Sequence, residues 1–170
     1  MFVDLFHTKK LRLALIYIAF LIMVQFMQDT VLARFALFGV KTLFVPAAVC
    51  AVGFHEGGFR GGLYGLLAGF LCDMTYAENT VLFTILFPVL GFGSGMAADF
   101  MLNRSYIAYL FTAAVCILVA GLGQMLRVVV LQPGALLYAL IVVLGQTLVS
   151  VPFAAALYYP VEQIASRFEA

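Results

Sequence analysis

Gly57-Gly58-Phe59-Arg60-Gly61-Gly62-Leu63-Tyr64-Gly65-Leu66-Leu67-Ala68-Gly69-Phe70-Leu71-Cys72-Asp73 is the stretch that decides how this chain folds. Gly57, Gly61, Gly65, Gly69 and Asp73 recur every fourth residue. An α-helix turns once in about 3.6 residues, so a spacing of four keeps them on one slowly drifting face. Gly58 and Gly62 broaden the strip. Glycine costs a helix close to 1 kcal/mol per residue against alanine. So many on one face need a return, and in lipid that return is close backbone contact, because a missing Cβ lets helices touch. The spacing therefore predicts a transmembrane helix with another helix laid across its glycine face, the alternative being a groove that admits a ligand.

The rest of the chain supplies the lipid context. Of 170 residues, 65% are apolar and 10% charged, and the formal net charge is +1. Mean hydropathy is +1.13. Soluble domains carry about 45–50% apolar and about 25% charged residues, so this chain lacks the charged shell that a water-soluble core needs. Soluble enzymes, nucleic-acid binders and disulfide-stapled secreted modules do not fit. A β-barrel does not fit either, because the apolar residues run continuously instead of alternating. The three cysteines, Cys50, Cys72 and Cys116, are scattered in apolar runs and read as small buried hydrophobes.

Each helical crossing takes about 20 apolar residues. Charges punctuate the sequence into spans at approximately 11–28, 42–54, 61–74, 80–98, 106–126 and 135–159. The expected fold is thus all-α: one integral membrane domain over residues 1–170, a compact bundle of about six transmembrane helices. The first span follows Lys9, Lys10 and Arg12 in the manner of a signal peptide. Ala33-Arg34-Phe35 makes a poor cleavage site, so it is read as a retained helix. Residues 30–41 carry Arg34 and Lys41 on one face and read as an interfacial helix or a connecting loop. The second span is short for a crossing. It either borrows length from this segment or is shielded by neighbours, and a re-entrant hairpin over 42–74 is the alternative to two crossings.

Short loops rich in Lys and Arg face the cytoplasm. With six spans, the side holding both termini carries Lys9, Lys10, Arg12, Arg60, Arg104 and Arg167, against Arg34, Lys41 and Arg127 opposite. Cytoplasmic termini are expected.

The fourth span repeats the glycine pattern in Gly91, Gly95 and Asp99, with Gly93 and Ala98 nearby. Asp73 then falls near the outer surface and Asp99 near the inner one. A carboxylate at membrane depth is a functional hypothesis by default, although either could simply sit at the water boundary. Asp73, Glu78 and Arg127 share the outer side, and Arg127 is expected to pair with one of the two acids or to snorkel. Gln124 with Arg127, and Gln146 with Ser150, share helix faces and can hydrogen-bond across helices. Pro46, Pro88 and Pro152 lie in or near the starts of spans. No catalytic set emerges. His55-Glu56 begins like the zinc motif HExxH, but Phe59 stands where the second His belongs. No metal site, cofactor or nucleic-acid partner is expected.

Pro46, a short apolar run, the ladder from Gly57 to Asp73 with Met74, and the glycines of the next span together resemble the MreD family of bacterial rod shape-determining proteins. The basic N-terminus, the length, the six-span hydropathy and Pro152 in the last helix are similar too. The chain departs at Ala47, where the family commonly has Asp. The resemblance implies a non-enzymatic inner-membrane scaffold of the machinery that inserts lateral peptidoglycan. It implies MreC as partner, with RodA, its penicillin-binding partner and MreB in the same assembly. It also implies that the glycine faces, through Gly57, Gly61, Gly65, Gly69, Asp73, Gly91 and Gly95, receive either helices of the chain itself or that of MreC. The family is thought to share its helix arrangement with the solute-binding subunits of energy-coupling-factor vitamin transporters. Such a subunit is the competing reading. It requires convergent polar groups in an outward pocket, here limited to Asp73, Glu78, Asn79, Gln124 and Arg127.

Overall fold

A computed structural model of the chain describes residues 2–32, 43–75, 81–100, 105–132, 134 and 136–169. They form six α-helices: α1 (Phe2–Met27, continued by a π-helical turn Gln28–Leu32), α2 (Val45–Glu56), α3 (Gly58–Thr75), α4 (Leu82–Phe100), α5 (Tyr106–Leu131) and α6 (Leu136–Glu169). No β-strand occurs among the described residues. Four stretches are long and apolar enough to cross a membrane: Leu11–Thr30, Leu82–Phe100, Tyr106–Leu131 and Leu136–Arg167. Their outward side chains are large and apolar, as with Ile107 at 77% and Leu148 at 78% exposure.

Some helices outrun the expected spans. α1 begins at Phe2, not near residue 11. α5 carries on past Arg127 to Leu131. α6 runs through Pro152 and Pro160 and continues ten residues past the expected end of the sixth span at 159, to Glu169. Proline removes one N–H donor, a loss that apolar membrane helices tolerate when the freed carbonyl finds another donor. The proposed interfacial segment at 30–41 lies outside the described residues beyond Leu32.

α2 sits at the centre of the bundle. Every residue from Val45 to Phe54 is buried. A helix that is apolar all round belongs inside a protein, not at its surface. At 1.5 Å per residue its 12 residues reach about 18 Å, well short of the roughly 30 Å hydrocarbon core. Ala47, Ala48, Cys50, Ala51 and Gly53 keep it slim, so that α3, α4, α5 and α6 close around it.

Side-chain contacts fix its direction. The start of α2 is tied to Gln28, and its last residue, Glu56, to Tyr17, eleven residues back along α1. α2 therefore runs antiparallel to α1. α3 returns alongside α1, since Cys72 near its end donates to Gln25. α2 and α3 thus form a helical hairpin with its vertex at Gly57.

Gly57 takes φ +89°, a backbone region closed to most side chains. Its N–H donates to the Gly53 carbonyl and its own carbonyl accepts from the Gly61 N–H, both at 2.9 Å, so one residue ends α2 and starts α3. The turn is what requires glycine at this rung of the ladder, while its carbonyl carbon still lies against α4, 2.5 Å from where a Cβ on Gly95 would stand. A Cβ on Gly57 would meet nothing within 4 Å. Gly57→Ala is nevertheless expected to lower stability by about 1–2 kcal/mol through strain alone, as measured by reversible unfolding in mixed micelles.

Candidate functional site

The glycine faces close on each other. A Cβ added to Gly65 would overlap the Phe87 carbonyl, one on Gly69 that of Phe83, and one on Gly95 the backbone nitrogen of Gly58. A Cβ on Gly61 would lie 2.5 Å from the Gly91 oxygen and 2.6 Å from the Gly53 Cα. One on Gly91 would in turn overlap the Gly61 carbonyl. The obstructing atoms belong to backbone, which cannot swing aside. Gly53, Gly61 and Gly91 therefore bring α2, α3 and α4 together at one junction, beside which Ser94 Oγ donates to the Gly91 carbonyl at 2.9 Å. Gly53 extends the four-residue spacing one step before Gly57, but it falls in the preceding apolar run, outside the ladder. Gly62 and Gly93 line no tight contact: a Cβ on Gly62 would find its nearest neighbour at 3.6 Å, and one on Gly93 nothing within 4 Å. Ala98 is buried in the same helix and Asp99 is exposed at its end. The face read as open to the chain's own helices or to a partner is thus filled by α4.

Asp73 ends the α3 face by reaching the start of α4. Its carboxylate accepts the Phe83 N–H at 3.2 Å, the Thr84 N–H at 2.7 Å and the Thr84 hydroxyl at 2.7 Å. The first turn of any helix has N–H groups without intrahelical partners and a partial positive charge, and an anion there satisfies both. Asp73 does for α4 what an N-cap residue does, but from the end of another helix. Glu78 lies outside the described residues, as does the side chain of Arg127.

The start of α2 is capped the same way. Gln28 Oε1 accepts the N–H groups of Phe44 at 3.0 Å and Val45 at 3.1 Å, while Ser150 Oγ of α6 accepts that of Leu43 at 3.1 Å. Next to it, Gln25 donates to Asp29 at 2.8 Å and accepts the Cys72 thiol at 2.9 Å. Three amide atoms stay buried without a hydrogen-bond partner among the described residues: Gln28 Nε2, Gln124 Oε1 and Gln146 Oε1.

At the hairpin vertex, Glu56 accepts the Tyr17 hydroxyl at 3.1 Å and the Arg60 guanidinium at 2.6 Å. Deeper in, the fully buried Tyr109 donates to the Ala154 carbonyl at 2.9 Å and packs its ring on Phe54 and Tyr158. These contacts tie α2 to α1, α5 and α6. No spacing in the sequence connects these residues.

All three cysteines are buried and free, and no group of His, Cys, Asp or Glu that could hold a metal ion occurs among the described residues. The class these features define is an all-helical protein, with four helices fit to cross a membrane, built around a short buried helix and a glycine-to-glycine junction. No family model, curated protein or solved structure matches the chain.

Proposed function

We propose that the chain is a multi-pass protein of the bacterial cytoplasmic membrane with cytoplasmic termini. In this reading it is a non-enzymatic scaffold of the cell-wall elongation machinery that binds MreC and contributes to rod shape and lateral peptidoglycan synthesis. What carries the reading is how the polar residues between the helices are used. Asp73, Gln28, Ser150 and Glu56 hold helix ends and neighbouring helices. A ligand site instead aims several polar groups into one cavity. Because the glycine faces are occupied from within, a helix from MreC has to dock on another, lipid-facing surface.

The proposed orientation survives the doubt over six spans. α2 and α3 return to the side they left, whether or not the vertex at Gly57 reaches the far surface. Both termini then share one side in either case. Without Arg60 the positive count on that side drops from six to five, still above three.

The three unpartnered buried amide atoms favour a second reading, a solute-binding subunit of an energy-coupling-factor vitamin transporter, since polar atoms left dry in an interior attract a ligand or water. Depletion in a rod-shaped host separates the two. Rounded cells together with co-purification of MreC are the expected result. Normal shape with loss of vitamin uptake would overturn the scaffold reading.

A further inference from the structure

Between α1 and α3 lies a cavity of about 470 Å³, walled by Leu13, Ala14, Leu63, Tyr64, Leu66 and Leu67, with Glu56 and Arg60 at the vertex of the α2–α3 hairpin. Leu63, Leu66 and Leu67 are exposed, so the groove opens to the surroundings of the bundle. In a bilayer those surroundings are acyl chains.

We propose that this groove is a binding site for one anionic phospholipid, with an acyl chain along the leucines and the phosphate at the basic end. The charges on the page select the sign of the headgroup. Among the described residues Glu56 is the one acid lining the groove, and its side chain is 8% exposed and already engaged by Arg60 and Tyr17. The Arg60 side chain is 49% exposed, and a guanidinium has five N–H donors, so donors remain after the bond to Glu56. Lys9 and Lys10 stand four residues before Leu13 and Ala14. By helical period they stand one turn nearer the N-terminus of α1 than Leu13 and Ala14. The exposed Arg12 is on that turn as well. Basic residues at the edge of an inter-helix groove attract anionic headgroups, and an arginine can bind a phosphate through two parallel hydrogen bonds. A phosphocholine headgroup gains less here, because its own cation meets the same positive cluster. This site is independent of the scaffold reading and needs only that the chain sits in a bilayer.

The test is native mass spectrometry of the full-length protein in detergent, titrated separately with dioleoyl phosphatidylglycerol and dioleoyl phosphatidylcholine. The first phosphatidylglycerol is expected to bind more tightly than phosphatidylcholine. Lys9→Gln with Lys10→Gln, on an end turn of α1, should weaken that preference by roughly fivefold per charge removed. Arg60→Gln should do the same. Leu67→Trp, which fills the groove, should abolish tight binding of phosphatidylglycerol while helicity and elution stay as in the wild type. Equal affinity for the two lipids in the wild type, or an unchanged preference in the double lysine variant, overturns the proposal even if Arg60→Gln fails to fold. So does a Leu67→Trp protein that binds phosphatidylglycerol as tightly as the wild type.

Discussion

Replacing Gly65 and Gly69 together with alanine is expected to destabilise the protein by about 2–6 kcal/mol, taking overpacking at about 1–3 kcal/mol per site. Each new methyl group would run into the carbonyl of a backbone residue on α4, Phe87 in one case and Phe83 in the other. Relief requires the two helix axes to move apart, which opens the junction of Gly53, Gly61 and Gly91 as well. Larger side chains such as leucine should do worse. Gly93→Ala is the control. It adds the same methyl where nothing lies within 4 Å, so helix propensity alone acts and stability should rise by about 0.5–1 kcal/mol. Unfolding in mixed micelles reads both. If the double variant unfolds like the wild type, backbone contact through glycine does not hold α3 on α4.

The contrast between those sites also marks how far sequence carries. Spacing alone placed Gly61, Gly65 and Gly69 on one face, because helical period is a local property. The same spacing included Gly57, which the structure uses for the turn. Nothing in a four-residue repeat tells a packing glycine from a helix stop when the next residue is glycine too. The shortness of the apolar run from Val45 to Phe54 left shielding by neighbouring helices as one of two explanations. Its central position depends on five other helices, however, and on capping groups as distant as Gln28 and Ser150. Those partners are polar residues in unrelated stretches, and no period connects them. Asp73 was legible as a carboxylate at membrane depth, and what it touches was not. Charge counting offered Arg127, whose side chain lies outside the described residues, to Asp73, to Glu78 or to the headgroups; the backbone N–H groups of Phe83 and Thr84, on which the Asp73 oxygens lie, carry no such signal.

That difference yields the second large effect. Asp73→Ala should destabilise the protein by about 2–4 kcal/mol, since it strands two helix-start N–H groups and a hydroxyl that had a carboxylate as acceptor. Asp73→Asn keeps one acceptor oxygen but turns an amide NH₂ towards a donor, so it should fall between alanine and the wild type. Thr84→Val removes only the hydroxyl bond, and its effect should shrink in the Asp73→Ala background, with a coupling of about 0.5–1.5 kcal/mol. Hydrogen exchange gives a local reading: the amides of Phe83 and Thr84 should lose protection in Asp73→Ala before the middle of α4 does. An ion pair makes the opposite demand. If Asp73 chiefly neutralises Arg127, then Arg127→Gln should cost as much as Asp73→Ala and leave those two amides protected. If the carboxylate chiefly caps α4, Arg127→Gln should stay within about 0.5 kcal/mol of the wild type. An acid at membrane depth would then owe its place to the backbone of the neighbouring helix, needing neither a substrate nor a counter-ion.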